Sequence, residues 1–254
     1  MTEAAWRLET YDSLPSTADV CRERAEAGAA DGLAILARRQ TAGRGTRGRA
    51  WAGAEGNLFL SVLLRPGGPM AGVGAWSLLA AVALAETVAP LLPPDAALQL
   101  KWPNDLLLQG GKLAGILLEC GADAHGRLGW IGIGFGVNLR VAPAVPGRRT
   151  ACLAAYDPPE PEAFVRMLLA SLGRWRLRLE REGFAPVREA FLARGPAPGS
   201  PLCLLRGRER HVGGFAGLGE DGALLLSVGG RVQSFNAGEV TTGGAEEERA
   251  PCCW

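Results

Sequence analysis

Lysine is nearly absent from this chain of 254 residues. Lys101 and Lys112 are the only lysines among 27 basic residues, which leaves 25 arginines. Histidine is as scarce, with only His125 and His211, and neither lies in the motifs described below, so histidine-based general-base catalysis is not indicated. The net charge of +1 argues against nucleic-acid binding as the main activity, because nucleic-acid-binding domains are usually strongly basic.

Metal-binding cysteine motifs and secretion signals are missing as well. The opening MTEAAWRLET has no basic segment followed by an apolar run, so the sequence predicts a cytoplasmic protein. The cysteines lack C-x-x-C spacing, which predicts neither a metal site nor a disulfide framework. We interpret them as core thiols plus a reduced pair near the C-terminus. They are Cys21, Cys120, Cys152, Cys203, Cys252 and Cys253.

The longest apolar segment is AGVGAWSLLAAVALAETVAPLL, residues 71–92, and its only charge is Glu86. Its length would suffice to cross a bilayer. The segment contains no lysine or arginine and is rich in alanine and glycine, so we predict a buried helix. A composition of 48% apolar and 21% charged residues is typical of a globular protein with a substantial core.

Hydrophobic patterns predict mixed elements and not a regular βαβ series. Ser16 or Thr17 is expected to cap a helix after the first strand, with Asp19 completing a weak capping box. Helices are predicted at the apolar segment and near residues 160–182 and 184–193. Strands are predicted at residues 6–12, 33–39, 57–64, 98–101, 105–108, 113–120 and 128–137.

The C-terminal part predicts a separate small domain. RGPAPGSP, residues 194–201, has the proline and glycine density of a linker. Four short runs with turn residues between them follow, which is the pattern of a small β-barrel: PLCLLRG, RHVGGFAGL, GALLLSV and RVQSFNAGEV. We therefore predict a main domain at residues 1–195, a barrel at residues 199–243 and a flexible tail at residues 244–254.

The loop QTAGRGTRGRAW, residues 40–51, interleaves three glycines with three arginines and is called the lid loop below. Glycine lets backbone N–H groups approach an anion, and guanidinium groups bind phosphate oxygens bidentately, so the loop is a candidate anion-binding lid. A solvated hairpin loop or a nucleic-acid patch has the same composition. The loop matches neither the P-loop pattern nor a dinucleotide fingerprint. Its residues of interest are Gly43, Arg44, Gly45, Arg47, Gly48 and Arg49.

The two lysines are the first and last residues of the segment KWPNDLLLQGGK. Pro103 fixes its own φ and restricts Trp102, while Asn104 and Asp105 favour a turn that leaves their side chains able to reach a ligand. An ammonium group is a compact, mobile point charge that can follow a carboxylate as it becomes an acyl phosphate, whereas a guanidinium demands a planar partner. Chance spacing of two residual lysines is the alternative explanation.

Glycine alternates with apolar residues in IGIGFGVNL, residues 131–139. In a strand, Gly132, Gly134 and Gly136 indicate close approach by a ligand or another backbone, and tight strand packing is the alternative. Asn138 at the end of the strand can donate to a purine or ribose. Three ligand-friendly segments in one domain favour nucleotide chemistry that depends on positioning and charge.

Four motifs together resemble those of the biotin protein ligases. The resemblance runs from about Leu8 to Asn138 and continues weakly to the GEV motif at residues 238–240. KWPND followed by GKLAGILLE is its most specific part. The motifs, in order, are GRGTRGRAW at residues 43–51, KWPND at 101–105, GKLAGILLE at 111–119 and GFGVNL at 134–139.

The resemblance implies an α+β fold. Its mixed β-sheet catalytic domain would be related to class II aminoacyl-tRNA synthetases and lipoyl ligases, and a small SH3-like barrel would follow. The implied reaction joins biotin and ATP-Mg to give biotinyl-5′-AMP and pyrophosphate. A lysine of a biotin carboxyl carrier domain, from acetyl-CoA carboxylase or a related carboxylase, then takes the biotin.

The resemblance also suggests the assembly and partners. Because the first strand begins by Trp6, we expect no N-terminal DNA-binding module, and hence a monofunctional ligase with neither DNA nor a membrane as partner. A homodimer through a sheet edge is one assembly that the resemblance allows.

The family resemblance assigns roles by motif. The implied catalytic residues are Lys112, which would contact the biotin carboxylate and the activated phosphate, Arg44 on the lid, and Asp105, which would position the attacking lysine or the metal. No protein ligand to the metal is assigned. The implied biotin-binding residues are Ser16, Thr17, Gln40, Gly43, Arg44, Lys112, Gly115 and Gly134. The implied ATP-binding residues are Arg47, Arg49, Trp51, Lys101, Asn104 and Asn138.

One position departs from the family pattern. The family usually has G-R-G-R in the lid, and the fourth position here is Thr46. The lid loop therefore lacks a cation expected near the bound adenylate, whose retention would depend on Arg47 or Arg49.

Two other functions stay open at the level of sequence. A lipoate or octanoate ligase or transferase shares the implied fold, although KWPND and the G-R-G lid favour biotin. A non-catalytic nucleotide- or RNA-binding module would use the arginine-rich lid loop as its patch, and the small net charge argues against it. The barrel could complete the ATP site, dock the carrier domain or stabilise the main domain.

Overall fold

The computed structural model describes residues 6–242, which form an α+β fold with two sheets, as predicted. The first sheet has seven strands and is accompanied by four α-helices. Its strands are β1 (Arg7–Leu14), β2 (Leu33–Gln40), β3 (Leu58–Leu64), β4 (Leu98–Lys101), β5 (Asp105–Leu108), β6 (Gly111–Ala122) and β7 (Leu128–Val137). The helices are α1 (Thr17–Glu26), α2 (Val73–Val88), α3 (Pro161–Glu182) and α4 (Ala185–Leu192).

The strand order in the first sheet is β1-β2-β3-β7-β6-β5-β4. Only β1 and β2 pair in parallel, and every other neighbouring pair is antiparallel. Parallel neighbours need a crossover connection, which α1 supplies. The prediction of mixed elements without a βαβ series is confirmed.

The start of α1 is set by Ser16. Its hydroxyl oxygen accepts a hydrogen bond from the backbone N–H of Ala18 at 3.3 Å, so the predicted cap is confirmed. The predicted capping box does not form. The carboxylate of Asp19 instead contacts the guanidinium groups of Arg22 and Arg44, because two cations bind it more strongly than a backbone N–H would.

Helix α2 is buried between the sheet and helices α3 and α4, as predicted. With its flanking 3-10 turns it covers Met70–Leu91, the one helix in the described part of the chain that is long and apolar enough to span a bilayer. Its one charge, Glu86, accepts hydrogen bonds from Trp175 at 2.8 Å and Ser171 at 3.4 Å. The helix is therefore part of the protein core.

The second sheet has five strands where the sequence predicted four. They are β8 (Pro201–Arg206), β9 (Glu209–Leu218), β10 (Leu224–Val228), β11 (Arg231–Phe235) and β12 (Glu239–Thr242), in the order β11-β10-β9-β8-β12. The segment RVQSFNAGEV, taken as one strand, turns after Phe235 and returns as β12 at the opposite edge, beside β8. Close approach of Gly238 to Leu204 permits this crossing.

The second sheet is attached to the first by side chains from the main domain. The indole N–H of Trp102 donates to the carbonyl oxygen of Gly222 at 3.0 Å, and Arg188 donates to that of Leu218 at 2.7 Å. One hydrophobic core extends through both sheets. Trp102 of the KWPND motif thus connects the two sheets.

The cysteine prediction is correct for two positions. Cys21 and Cys203 are buried, whereas Cys120 and Cys152 are only partly buried, and all four are free thiols. Burial raises the pKa of the Cys21 thiol to about 12, with Glu119 adding to the shift. The predicted reduced pair, Cys252 and Cys253, and the predicted tail at residues 244–254 lie outside the described residues.

Candidate functional site

A cleft lies where the middle strands of the first sheet meet the start of α1 and the lid loop. Its empty space, including the solvent at its open mouth, is about 450 Å³. Strands β3, β6 and β7 form its floor, and Arg44 and Lys112 both line it. Arg44 and Lys112 therefore face one cavity, whereas Lys101, an implied ATP-binding residue, does not line it.

One part of the cleft is a chain of neutral hydrogen-bonding groups. The buried hydroxyl of Ser61 donates to that of Thr17 at 2.9 Å, and Thr17 donates through its hydroxyl and its backbone N–H to the amide oxygen of Gln40, at 3.1 and 2.7 Å. The oxygen of Gln40 is thereby occupied, while its NH2 has no protein partner within residues 6–242. These hydrogen-bonded groups offer the amide NH2 of Gln40 and the hydroxyls of Thr17 and Ser61 to a polar, uncharged ligand.

Alternating glycines in β7 leave space at the floor of the cleft, as the sequence indicated. Different groups approach the individual glycines. Gly134 stands opposite Ser61 and Leu117 and faces the cleft. Gly136 stands opposite Gly115. A Cβ on Gly115 would lie 3.0 Å from the Trp51 ring, and a Cβ on Gly136 would overlap that ring, so the two glycines form a seat for the indole.

A charged cluster adjoins this seat. Lys101, Asp105 and Gly115 stand opposite one another on β4, β5 and β6. The carboxylate of Asp105, a buried residue, binds the ammonium of Lys112 at 2.6 Å through Oδ1 and that of Lys101 at 3.0 Å through Oδ2. The ammonium of Lys112 also lies 5.5 Å from the centre of the Trp51 ring. Asp105 therefore holds Lys112 at the wall of the cleft.

Opposing effects set the pKa values in this cluster. Burial of the Asp105 carboxyl raises its pKa, but Lys112 and Lys101 outweigh burial and leave the pKa below its ordinary value. Burial of the Lys112 ammonium is the largest effect and holds its pKa below the ordinary value; Asp105 opposes this lowering, and Lys101 and Arg49 add to it. Two lysines and one aspartate give the cluster a net charge of +1, which suits an anionic ligand.

The lid loop is an ordered hairpin. Trp51 donates its backbone N–H to the carbonyl oxygen of Gly43 at 2.8 Å, and Gly45 donates to that of Arg49 at 2.7 Å. At the tip, Arg47 has a φ of 60°, a left-handed conformation that costs a non-glycine residue about 1–2 kcal/mol. The backbone of the lid loop is thus the hairpin that the sequence allowed as an alternative. The loop also covers a cavity, because Arg44 and Trp51 line the cleft.

Arg44 reaches across the cleft to two carboxylates. Its guanidinium lies 2.8 Å from Asp19 and 3.0 Å from Glu119, while its buried Nε has no partner within residues 6–242. Glu119 is four residues along β6 from Gly115, about 13 Å at the usual rise of a strand. The anchor of Arg44 and the ammonium of Lys112 therefore lie toward different ends of the cleft.

Most of the predicted site residues line the cleft. The residues on its wall are Ser16, Thr17, Gln40, Arg44, Trp51, Asn104, Lys112, Gly115 and Gly134. The remaining predicted residues lie behind the wall or outside it: Gly43, Arg47, Arg49, Lys101, Asp105 and Asn138.

Two predicted nucleotide ligands have backbone partners. Asn138 is buried, and its NH2 donates to the carbonyl oxygens of Lys112 at 3.3 Å and Ala151 at 3.0 Å. It thus fixes the segment after β7 and does not line the cleft. Asn104 lines the cleft, but its NH2 donates to the carbonyl oxygen of Ile116 at 2.6 Å. Both amides hold the backbone around Lys112.

The sequence analysis missed several residues at the site. Ser61 is the lone hydroxyl in the buried strand LFLSVLL, and that irregularity could have identified it. Glu119 ends the motif GKLAGILLE and was quoted without a role. Asp19 was given only a capping role, Glu239 was quoted only within the GEV motif, and Arg148 was not singled out, because their partners across the fold lie far away in the sequence. Within residues 6–242 there is no group of three or more His, Cys, Asp or Glu residues that could hold a metal ion.

Comparisons with known proteins agree with the fold. A model of the Biotin/lipoate A/B protein ligase family matches residues 11–137. The chain is 39% identical over 217 residues to a biotin--[acetyl-CoA-carboxylase] ligase of Paracoccus denitrificans, covering 83% of this chain and 90% of that protein. It is 34% identical over 249 residues to the protein of the same name in Mycobacterium tuberculosis, covering 93% and 90%. The fold matches a biotin protein ligase of Aquifex aeolicus in complex with biotin and ATP, with a TM-score of 0.76, 24% identity, and coverage of 92% of this chain and 97% of that chain.

Proposed function

The chain belongs to the biotin/lipoate A/B protein ligase family, and from that membership we propose that it is an ATP-dependent biotin protein ligase. Its reaction joins biotin and ATP-Mg to give biotinyl-5′-AMP, and then transfers biotin to a lysine of a biotin carboxyl carrier domain. One observation carries the proposal: a single cleft combines neutral hydrogen-bonding groups at Thr17, Gln40 and Ser61 with an ammonium group at Lys112.

The neutral groups suit the ureido ring of biotin. The unused NH2 of Gln40 can donate to the ureido oxygen, and the hydroxyls of Thr17 and Ser61 can accept or donate beside the ring. Gly134 leaves room for the ring against β7. Gly136 lies two residues further on, about 7 Å along the strand, so the carboxylate tail would extend toward Lys112.

The charged groups suit the first half-reaction. A carboxylate oxygen of biotin attacks the α-phosphorus of ATP, the bond from that phosphorus to the bridging oxygen breaks, and pyrophosphate leaves with the bond electrons. The step brings two anions together, and the ammonium of Lys112, held by Asp105 at 2.6 Å, offsets their repulsion. We infer that Asp105 acts as a positioning residue, because its two oxygens are already occupied by two lysines.

In the second half-reaction the neutral amine of the carrier lysine attacks the acyl carbon of the adenylate. An amide bond forms, the bond to the phosphate oxygen breaks, and AMP leaves while the amine proton passes to solvent. Magnesium takes part in this scheme as the companion of the ATP substrate.

The proposal is tested by incubating the protein with biotin, ATP-Mg and a carrier domain, followed by streptavidin blotting. Biotin with ATP at about 100 times the dissociation constant should stabilise the fold by about 2.7 kcal/mol, a rise in Tm of about 5–10 °C. Lipoate with ATP serves as the matched control and should give no such rise. Stabilisation by lipoate alone, with an empty streptavidin blot, would instead identify a lipoate ligase.

Thr46 is expected to limit how long the adenylate is retained. It lines the cleft, and the side chain of Arg49 donates to its hydroxyl at 3.3 Å and to its carbonyl at 3.4 Å. Thr46→Arg adds a cation beside the bound adenylate and should slow its dissociation about 10-fold, since one charge-assisted contact contributes about 1.5 kcal/mol. Dissociation is measured by chasing labelled adenylate. Thr46→Ala removes the contact with Arg49 without adding charge and should not slow release; if Thr46→Arg also fails to slow it, Thr46 does not limit retention.

A further inference from the structure

Three arginines from two separate loops converge on one carboxylate of the small sheet. Glu239, the first residue of β12, lies 2.6 Å from Arg49 and 3.4 Å from Arg47, both in the lid loop. It also lies 3.0 Å from Arg148, in the loop after β7. No other carboxylate within residues 6–242 pairs with any of the three.

This arginine cluster carries an excess of two positive charges. Three guanidinium groups face a single carboxylate, and a carboxylate has only two oxygens, of which Oε1 already takes contacts from Arg49 and Arg148. Burial of the Glu239 carboxyl raises its pKa, but Arg49 and the other two arginines outweigh burial and hold the pKa below its ordinary value. A phosphate group, with three oxygens and a higher charge, matches three guanidinium groups better than a carboxylate does.

The arginine cluster is electrostatically connected to the cleft and open to solvent. The side chain of Arg49 donates at 3.3 Å to the hydroxyl of Thr46, which lines the cleft, and Arg49 also contributes to lowering the pKa of the Lys112 ammonium. The side chains of Arg47 and Arg148 are about half exposed, at 45% and 44%, so an anion can reach them without unfolding. A ligand whose one end lies at Lys112 can therefore extend its anionic end to these arginines.

We propose that Arg148, together with Arg47 and Arg49, forms a polyphosphate site and that Glu239 occupies this site as an internal anion when no nucleotide is bound. The inference rests on the proposed function, which supplies the ligand class: the terminal phosphates of a nucleoside triphosphate and the pyrophosphate that it releases. Glu239 competes with these phosphates and returns to the arginines as pyrophosphate leaves. The small sheet thereby contributes a competing group to the nucleotide site.

The competition predicts a gain of affinity when a negative charge is removed. Glu239→Gln keeps the shape of the side chain and should tighten binding of inorganic pyrophosphate with Mg²⁺ about 10-fold, as measured by titration calorimetry, because one charge-assisted contact no longer has to be displaced. Arg148→Ala should weaken pyrophosphate binding by a similar factor. Neither substitution should alter the affinity for biotin alone.

Glu182→Gln is the matched control. Glu182 pairs at 3.2 Å with Arg178 on the exposed side of α3 and with none of the three arginines of the cluster, so its substitution should leave pyrophosphate binding unchanged. Weaker or unchanged pyrophosphate binding by Glu239→Gln would show that Glu239 only supports the lid loop. Absence of pyrophosphate binding by the unsubstituted protein would also overturn the proposal.

The two proposals can fail separately. Carrier biotinylation together with an unchanged pyrophosphate affinity in Glu239→Gln would leave the ligase assignment intact and remove the internal anion. No biotinylation, together with the opposite shifts in Glu239→Gln and Arg148→Ala, would leave a polyphosphate site whose reaction is not biotin ligation.

Discussion

Replacing Lys112 by alanine is expected to lower the rate of biotinyl-adenylate formation by about 10² or more, the scale on which one oriented electrostatic donor acts. Lys112 is the lysine whose ammonium lines the cleft, where it is fixed by Asp105 at 2.6 Å and lies beside the Trp51 ring. Its removal takes away the ammonium on the cleft wall that offsets the repulsion between the biotin carboxylate and the α-phosphate. The measurement is biotin-dependent exchange of labelled pyrophosphate into ATP.

Lys101 provides the matched control for Lys112. It binds the same carboxylate at 3.0 Å but does not line the cleft. Lys101→Ala therefore removes one positive charge beside Asp105 and leaves the ammonium of Lys112 on the cleft wall. We expect Lys101→Ala to lower exchange by less than about 10-fold, the loss of a screened and indirect contact. Equal losses in the two variants would mean that both lysines act only through Asp105. Wild-type exchange in Lys112→Ala would overturn the assigned role.

The local parts of this site could be predicted because their signals are local. Ser16 caps α1 through an atom two residues away, and the bounds of β4, β5 and β7 follow from runs of apolar residues ended by turn residues. The motifs also meet in one cleft, because β6 and β7 are neighbours and place Gly115 opposite Gly136.

The partners of the arginines could not be predicted, because they depend on distant segments. Arg44 binds Glu119, 75 residues away, and Arg49 binds Glu239, 190 residues away. With 25 arginines in the chain, composition does not distinguish those that face the cleft from those that pair at the surface. The fifth strand of the small sheet was missed for a related reason: β12 pairs with β8, and a single run of residues does not reveal a change of partner.

These long-range pairs change the expected role of Arg44. The resemblance placed it with Lys112 over the reacting groups, but Asp19 and Glu119 hold its guanidinium toward the other end of the cleft. We therefore propose that Lys112, and not Arg44, is the principal cation beside the biotin carboxylate, and we expect its substitution to have a larger kinetic effect than that of Arg44.

The stability of the site should depend most on Asp105. Asp105→Asn keeps the shape of the side chain but leaves two ammonium groups close together in a nearly buried place. Removing one partner from a buried ion pair typically costs about 3 kcal/mol or more. For a chain of this size, such a loss lowers Tm by about 6–12 °C. Chemical denaturation at neutral pH measures the difference in the free energy of unfolding.

The pH dependence of that difference identifies its cause. Lys112 and Lys101 hold the pKa of Asp105 below its ordinary value in the folded protein, so its stabilising effect is complete above the unfolded pKa of about 3.9 and is lost as pH falls through the folded pKa. The gap between the unsubstituted protein and Asp105→Asn should therefore narrow below about pH 4. Asp12→Asn, at a fully exposed carboxylate 3.9 Å from Arg38, should show no measurable gap at any pH. A gap for Asp105→Asn that stayed constant into acid would mean that side-chain packing, and not the charge that orients Lys112, accounts for the loss.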